Sequence, residues 1–212
     1  MCSYKMSFYL LIYFCLIART ISEKNFVLIL DTTQSMKDEI NIIRSNLHAA
    51  LDDNSHNIQY ILLPFNNPDV GPPLVSSTVE NFMDNLDLVE VGGGQECPEK
   101  SLSAIEMALE KVKAPSNMYL FTDAIAKQEE RNKIDFIAQL CRERQSQVFI
   151  FQSGQCPAES NNYYRDVAKL CGGSTYYFEL YNLKKAFTFI KETMRLEWTP
   201  TNVEIESSDT FG

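Results

Sequence analysis

The sequence predicts a doubly wound α/β domain, in which a mostly parallel, Rossmann-like sheet carries helices on both faces. Short apolar runs alternate along the chain with segments of helical periodicity, and parallel strands are joined by helical crossovers of this kind. Several runs are apolar on both faces, as expected for strands covered by helices on each side. The 212 residues, 45% hydrophobic and 22% charged, are enough for one such domain with a closed core.

The first half of the chain contains three predicted strands and two predicted helices. FVLIL (26–30) is a fully buried strand, and IQYILLPF is a second strand that ends at the turn cluster NNPDVGPP. A helix between them is indicated by an apolar stripe of four residues, Ile40, Ile43, Leu47 and Leu51. LVSST is predicted to be a short edge strand, and a short helix follows near ENFMDNL.

The second half repeats this alternation after a break at GGGQECPE. The predicted strands are MYLFT, VFIFQ and STYYFEL. Apolar stripes predict helices over 102–112, 134–141 and 183–194, and a further helix is predicted around 164–170, ended by Gly172 and Gly173. Ligands bind such sheets at the carboxyl ends of the strands, so a functional site is expected in the loops after FVLIL, MYLFT and VFIFQ.

The amino-terminal segment has the pattern of a secretory signal peptide, predicted over residues 1–20. Lys5 precedes an unbroken apolar run over 6–18, and small and polar residues follow. The run is short for a membrane span of about 20 residues; an uncleaved signal anchor is the alternative. We therefore expect a secreted, extracellular domain over 25–197 with no membrane span in the mature chain. A polar tail or the start of a linker follows over 198–212.

The charge balance excludes one large class of partner. The formal net charge is −9, from 19 Lys and Arg against 28 Asp and Glu, and no basic run interrupts it, so nucleic-acid binding is not expected. An acidic surface suits metal cations or basic partners. His48 and His56 are the only histidines, which disfavours His-based zinc sites and catalytic triads.

The cysteines predict two disulfides. Cys2 and Cys15 lie in the predicted signal peptide, and an exported domain with four further cysteines is expected to pair them, with three connectivities open. No C-x-x-C pair occurs, which disfavours zinc. Topology places two of the four on loops at one end of the sheet and two near the far ends of neighbouring helices. We predict Cys97–Cys156 and Cys141–Cys171.

Oxygen-bearing side chains follow two of the buried strands. Asp31, Thr33 and Ser35 come directly after FVLIL, and Asp123 follows MYLFT. The GGG turn between these strands presents Glu96 and Glu99. Carboxylate and hydroxyl donors favour Mg²⁺, Mn²⁺ or Ca²⁺ over Zn²⁺ or Cu²⁺. The alternative is that Ser and Thr only cap the next helix, but capping does not explain Asp123.

These segments resemble a known family. FVLILDTTQSM and FTDA resemble the von Willebrand factor type A domain with its metal-ion-dependent adhesion site. YILLPFNNPDVGP, VEVGGGQECPEKSLSAIEMAL, YLFTDAIAK and QVFIFQSGQC resemble the type A domain of hemicentin-like extracellular matrix proteins. DTTQSMKDE is also similar to a segment of integrin beta-subunit I-like domains.

The resemblance implies a metal bound by the hydroxyls of Thr33 and Ser35, with Asp31 and Asp123 acting directly or through water. Many type A domains supply a further Thr, and Glu99 takes that position here, as a Glu does in integrin beta subunits. Mg²⁺ or Mn²⁺ is the expected cofactor. The carboxylate of an extracellular matrix or cell-surface protein would complete the coordination.

The integrin resemblance also implies an adjacent Ca²⁺ site near Asp38, Glu39 and Glu96. The alternative is that these are solvated acids stabilised by a helix dipole.

The function expected from the resemblance is a metal-dependent adhesion module. The alternative is a structural matrix module in which the metal only stabilises the fold. A metal-dependent hydrolase is disfavoured, because the sequence places no His, Lys or Cys near the site as a base or nucleophile.

Overall fold

The computed structural model describes residues 24–51, 58–93, 97–113, 115–154 and 163–195. The predicted signal peptide and the polar tail lie outside these residues. The described residues form a six-stranded sheet with helices on both faces, which confirms the predicted fold class. Among the helices described, none is both long and apolar enough to span a membrane.

The elements follow the predicted order. The strands are β1 (Lys24–Asp31), β2 (Ile58–Phe65), β3 (Leu74–Ser76), β4 (Ser116–Thr122), β5 (Ser146–Ser153) and β6 (Thr175–Phe178). The helices are α1 (Lys37–Leu51), α2 (Val79–Asp87), α3 (Ser101–Lys111), α4 (Ile134–Arg144), α5 (Tyr163–Leu170) and α6 (Lys184–Arg195). The last strand is shorter than the STYYFEL run, because a 3₁₀ turn over Leu180–Asn182 follows it closely.

The strand order is β3-β2-β1-β4-β5-β6. All neighbouring pairs are parallel except β2 and β3, which are antiparallel. Leu74–Ser76, the first three residues of LVSST, form the predicted edge strand. From β1 the chain moves to one side through β2 and β3. It then returns to the other side of β1 with β4 and continues outward through β5 and β6. The order therefore reverses between β1 and β4, where ligands bind in sheets of this class.

Two cores hold the helices against the sheet. Side chains alternate along β1, with Phe26, Leu28 and Leu30 in the first core and Val27 and Ile29 in the second. The first core includes buried residues of α1, α2 and α6, and the second includes those of α3, α4 and α5. Both faces of the central strands are covered, which explains why their sequences are apolar throughout.

A disulfide joins two helices of the second core. Cys141 of α4 is bonded to Cys171, the residue that follows α5, with Cα atoms 5.3 Å apart. Cys97 is also disulfide-bonded; its predicted partner, Cys156, lies outside the described residues.

Candidate metal centre

Asp31 is the last residue of β1 and lies at the reversal of strand order. Its side chain is fully buried. The backbone N–H of Thr33 donates to Oδ1 over 3.0 Å, and the Thr122 hydroxyl donates to Oδ2 over 2.6 Å. Because Thr122 ends β4, this second bond connects the two strands that flank the reversal.

The environment of Asp31 opposes its negative charge. Burial raises the pKa of its carboxyl to about 6, and the hydrogen bonds from Thr122 and Thr33 offset only part of this rise. The negative charge of Asp123 raises the pKa further. A cation bound beside Asp31 would favour the ionised carboxylate.

Thr33 and Ser35 lie on the turn that leads from β1 into a 3₁₀ turn, Gln34–Met36. Their hydroxyl oxygens are 3.1 Å apart, with Thr33 buried and Ser35 exposed. Thr33 occupies the cap position of the 3₁₀ turn, yet its side chain makes no capping hydrogen bond there. Helix capping therefore does not account for the Thr33 hydroxyl.

Asp123 is placed by its neighbours at the end of β4. The N–H of Ala124 donates to the Thr122 hydroxyl over 3.1 Å, which holds the chain on either side of Asp123. Gly154, just beyond β5, has a φ of 71°, and a Cβ there would lie 3.0 Å from the Asp123 Cβ. A glycine is needed here for both reasons. The charge of Asp123 acts on both Asp31 and Glu39, so these three acids lie at one edge of the sheet.

Glu99 is buried beside the chain that leaves β4. It forms an isolated parallel bridge with Ala126. Its N–H donates to the Ile125 carbonyl over 2.9 Å, and the N–H of Lys127 donates to its own carbonyl over 3.0 Å. These backbone bonds hold Glu99 against residues 125–127, which follow Asp123 closely in the chain.

The acids do not converge into one cluster. Within the described ranges, no group of three or more His, Cys, Asp or Glu side chains is arranged to hold a metal ion. The oxygen donors that the structure does bring together are the Asp31 carboxylate and the hydroxyls of Thr33 and Ser35, with the charge of Asp123 nearby. These are hard donors and fit Mg²⁺ or Mn²⁺.

Of the three acids predicted for an adjacent site, Glu39 faces the sheet edge. Its Oε1 accepts a hydrogen bond from the Ser153 hydroxyl over 3.0 Å. Partial burial raises its pKa, with smaller contributions from the charges of Asp123 and Asp38. Asp38 is exposed, and Glu96 lies outside the described residues.

Sequence reasoning missed three residues that organise this edge: Thr122, Ser101 and Tyr164. All three are buried. The Thr122 hydroxyl bonds to Asp31, and the Tyr164 hydroxyl bonds to Ser101 and to the Ala124 carbonyl. Thr122 is the one polar residue in the apolar MYLFT run, which could have indicated it. No local pattern marks Tyr164, because it reaches the site from a distant helix.

A family model described as von Willebrand factor A domain matches residues 25–180. Human hemicentin-1 is 26% identical over 175 residues, which cover 79% of this chain and 3% of that protein. Von Willebrand factor A domain-containing protein 7 of the rat is 34% identical over 124 residues, 57% of this chain and 14% of that protein. The chain thus spans only a small part of the curated relatives it matches.

Solved structures share the fold at low identity. A von Willebrand factor type A protein from Catenulispora acidiphila has a TM-score of 0.62 at 15% identity, covering 81% of this chain and 42% of that one. Proximal thread matrix protein 1 from the mussel byssus, solved with a zinc-occupied MIDAS motif, has a TM-score of 0.63 at 12% identity. It covers 82% of this chain and 46% of that one. With a family model that matches most of its length, this chain belongs to the von Willebrand factor A domain family and is similar to the hemicentins.

Proposed function

We propose that this protein is an extracellular adhesion module that captures an acidic residue of a matrix or cell-surface protein through a divalent cation. Asp31, Thr33 and Ser35 would hold the cation, with Asp123 and Glu99 as the remaining protein ligands. Mg²⁺ or Mn²⁺ is the proposed metal. Once bound, it would supply a Lewis-acidic positive charge that attracts a partner's carboxylate.

The observation that carries this proposal is the fully buried Asp31 carboxylate, together with the hydroxyl pair of Thr33 and Ser35, whose oxygens are 3.1 Å apart. A buried ionised group is costly unless an opposite charge lies close to it. Ser35 is exposed, so a partner could approach the same edge from solvent. Asp123, which is half-buried, adds a second negative charge that favours a cation.

Two arguments support Glu99 as a metal ligand. The family resemblance implies this role, and backbone bonds hold Glu99 beside the chain that follows Asp123. An adjacent Ca²⁺ site near Asp38, Glu39 and Glu96 remains part of the proposal. It is supported by the electrostatic proximity of Glu39 to Asp123 and Asp38.

A binding role is favoured over a catalytic one. His48 lies in the last turn of α1, whereas Asp31, Thr33 and Ser35 lie before the first turn of that helix. The mussel byssus matrix protein, solved with zinc in its MIDAS motif, supports metal binding on this fold.

Calorimetry tests the metal centre. The full chain, produced under oxidising conditions, is titrated with Mg²⁺, Mn²⁺ and Ca²⁺ beside Asp31→Asn and Glu99→Gln. We expect a saturable Mg²⁺ or Mn²⁺ site that Asp31→Asn abolishes and Glu99→Gln weakens by about tenfold. Asp84→Asn is the matched control: it removes the same charge at an exposed position on α2, outside the segments that carry the proposed ligands. Absence of metal binding by the unmodified chain would contradict the proposal.

Adhesion is tested by solid-phase binding to purified extracellular matrix proteins with Mg²⁺ or with EDTA. The proposal expects capture that is lost in EDTA and in Asp31→Asn but retained in Asp84→Asn. If the metal raises the melting temperature while capture is indifferent to it, the metal is structural and the module binds through other surfaces.

A further inference from the structure

Tyr164 reaches the candidate metal centre from α5. Its ring belongs to the second core and its side chain is buried. The hydroxyl lies 2.7 Å from Ser101 Oγ and 3.0 Å from the Ala124 carbonyl oxygen. The Tyr164 hydroxyl carries one proton, and the carbonyl can only accept, so Tyr164 donates to Ala124 and the Ser101 hydroxyl donates to Tyr164.

Tyr164 completes a continuous chain of hydrogen bonds that starts at Asp31. Thr122 Oγ1 donates to Asp31 Oδ2 and accepts from the N–H of Ala124. The Ala124 carbonyl then accepts from Tyr164, and Tyr164 pairs with Ser101. Every member of the chain is buried, so each bond is made where an unpaired polar group would be costly.

This chain passes through all three segments that carry the proposed ligands. Asp31 is its first member, and Asp123 lies between Thr122 and Ala124. Glu99 lies two residues before Ser101, on the same anchored segment. Tyr164 is thus the side chain that spans the Asp123 segment and the start of α3.

The Tyr164 hydroxyl is suited to act as a constant hydrogen-bond donor. Burial raises its pKa well above its ordinary value, so the group stays protonated at neutral pH. The hydroxyl contacts the Ala124 carbonyl and the Ser101 hydroxyl, and none of these groups is a proposed metal ligand.

We propose that Tyr164 is a positioning residue of the metal centre, whose hydroxyl fixes the spacing between the Asp123 and Glu99 segments and thereby sets the affinity for Mg²⁺. This inference rests on the proposed function. Mg²⁺ requires near-ideal octahedral geometry at short distances, whereas Ca²⁺ accepts longer and more variable ones. Loosening the two segments therefore weakens Mg²⁺ binding more than Ca²⁺ binding.

The test compares Tyr164→Phe with Tyr119→Phe in the full chain. Tyr119 is equally buried and its hydroxyl pairs with Thr193 Oγ1 at 2.7 Å, but it lies in the first core. Both variants lose one buried hydroxyl, so they separate a local effect from a general loss of stability. Calorimetry gives the Mg²⁺ and Ca²⁺ affinities, and hydrogen exchange in EDTA follows the amides of Glu99 and Lys127.

We expect Tyr164→Phe to weaken Mg²⁺ binding by about fivefold, the equivalent of one lost hydrogen bond, and to weaken Ca²⁺ binding less. The amides of Glu99 and Lys127 should exchange faster in the metal-free variant, and Tyr119→Phe should change none of these quantities. Ser101→Ala breaks the same link from the other side. Its effect should not add to that of Tyr164→Phe, and it serves as the test if Tyr164→Phe does not fold.

Wild-type Mg²⁺ affinity and wild-type exchange in Tyr164→Phe would overturn this inference alone. The same Mg²⁺ loss in Tyr119→Phe would also overturn it, because the effect would then be general. A wild-type chain that binds no metal would overturn the proposed function together with this inference.

Discussion

Asp31 combines full burial with a negative charge, so the free energy of unfolding should change with pH as Asp31 titrates. Its pKa rises from 3.8 to about 6 in the folded protein, chiefly because burial disfavours the ionised form. A raised carboxyl pKa means that this group favours the folded state most below pH 4. That contribution is lost as the pH rises through about 6. At neutral pH the metal-free protein therefore carries an ionised group that opposes folding.

Asp31→Asn should accordingly stabilise the metal-free protein at neutral pH. We expect a gain of about 1–3 kcal/mol at pH 7.5, because each pKa unit corresponds to about 1.4 kcal/mol, and almost no gain near pH 4. Urea unfolding in metal-free buffer at the two pH values measures this difference. An equal effect of Asp31→Asn at both pH values, or a loss at pH 7.5, would contradict the prediction; Asp84→Asn should change little at either.

At the scale of elements, Glu130 fixes the start of α3. It lies in the 3₁₀ turn Gln128–Lys133 and is buried. Its carboxylate accepts hydrogen bonds from the N–H groups of Leu102 and Ser103, at 3.1 and 3.0 Å, and from the Ser103 hydroxyl. The first turn of a helix has no backbone partners for its N–H groups, so a carboxylate from another element serves as the cap here.

Glu130→Gln should destabilise the domain by about 1–3 kcal/mol, because the amide lacks the charge and turns a donor toward a helix N–H. Glu129→Gln is the matched control, since Glu129 lies in the same turn and is exposed. Urea unfolding of both variants in the same buffer gives the comparison. Equal unfolding free energies for the two would show that Glu130 does not cap α3.

At the scale of the whole molecule, the strand order forms the candidate site, whereas the Cys141–Cys171 disulfide stabilises the second core. The order brings the ends of β1 and β4 together and so creates the site. The disulfide joins α4 to the end of α5 in the second core, across a sequence separation of 30 residues. Neither cysteine contributes a contact to Asp31, Thr33 or Ser35 among the bonds described above.

Replacing both Cys141 and Cys171 by Ala should therefore lower stability without altering the metal centre. A closed loop of this length contributes about 3–4 kcal/mol through the entropy of the unfolded chain. Urea unfolding should show a loss of that order, and calorimetry should show unchanged Mg²⁺ affinity for the folded variant. An unchanged unfolding free energy would contradict the expected loss of stability. A lower Mg²⁺ affinity would contradict the expectation that the metal centre is unaltered.

Much of the fold could be predicted because its signals are local. The stripe of Ile40, Ile43, Leu47 and Leu51 is buried in α1 as expected, and IQYILLPF is β2. The first three residues of LVSST, a short run with a proline-rich flank, form the antiparallel edge strand β3. For the site, the placement of Asp31 and Asp123 at the carboxyl ends of strands followed from the alternation of strands and helices. Their role as metal ligands stays a prediction.

By itself, the sequence determined the element order, the fold class and the oxygen-donor residues at the strand ends, because periodicity and strand ends are properties of neighbouring residues. The tertiary structure decided which distant groups meet them: Thr122 on Asp31, Tyr164 between Ala124 and Ser101, Ser153 on Glu39, and Glu130 on α3. It also decided that Asp31 is buried enough to raise its pKa. These contacts join residues many positions apart, and their energies depend on burial and distance, which no local pattern encodes.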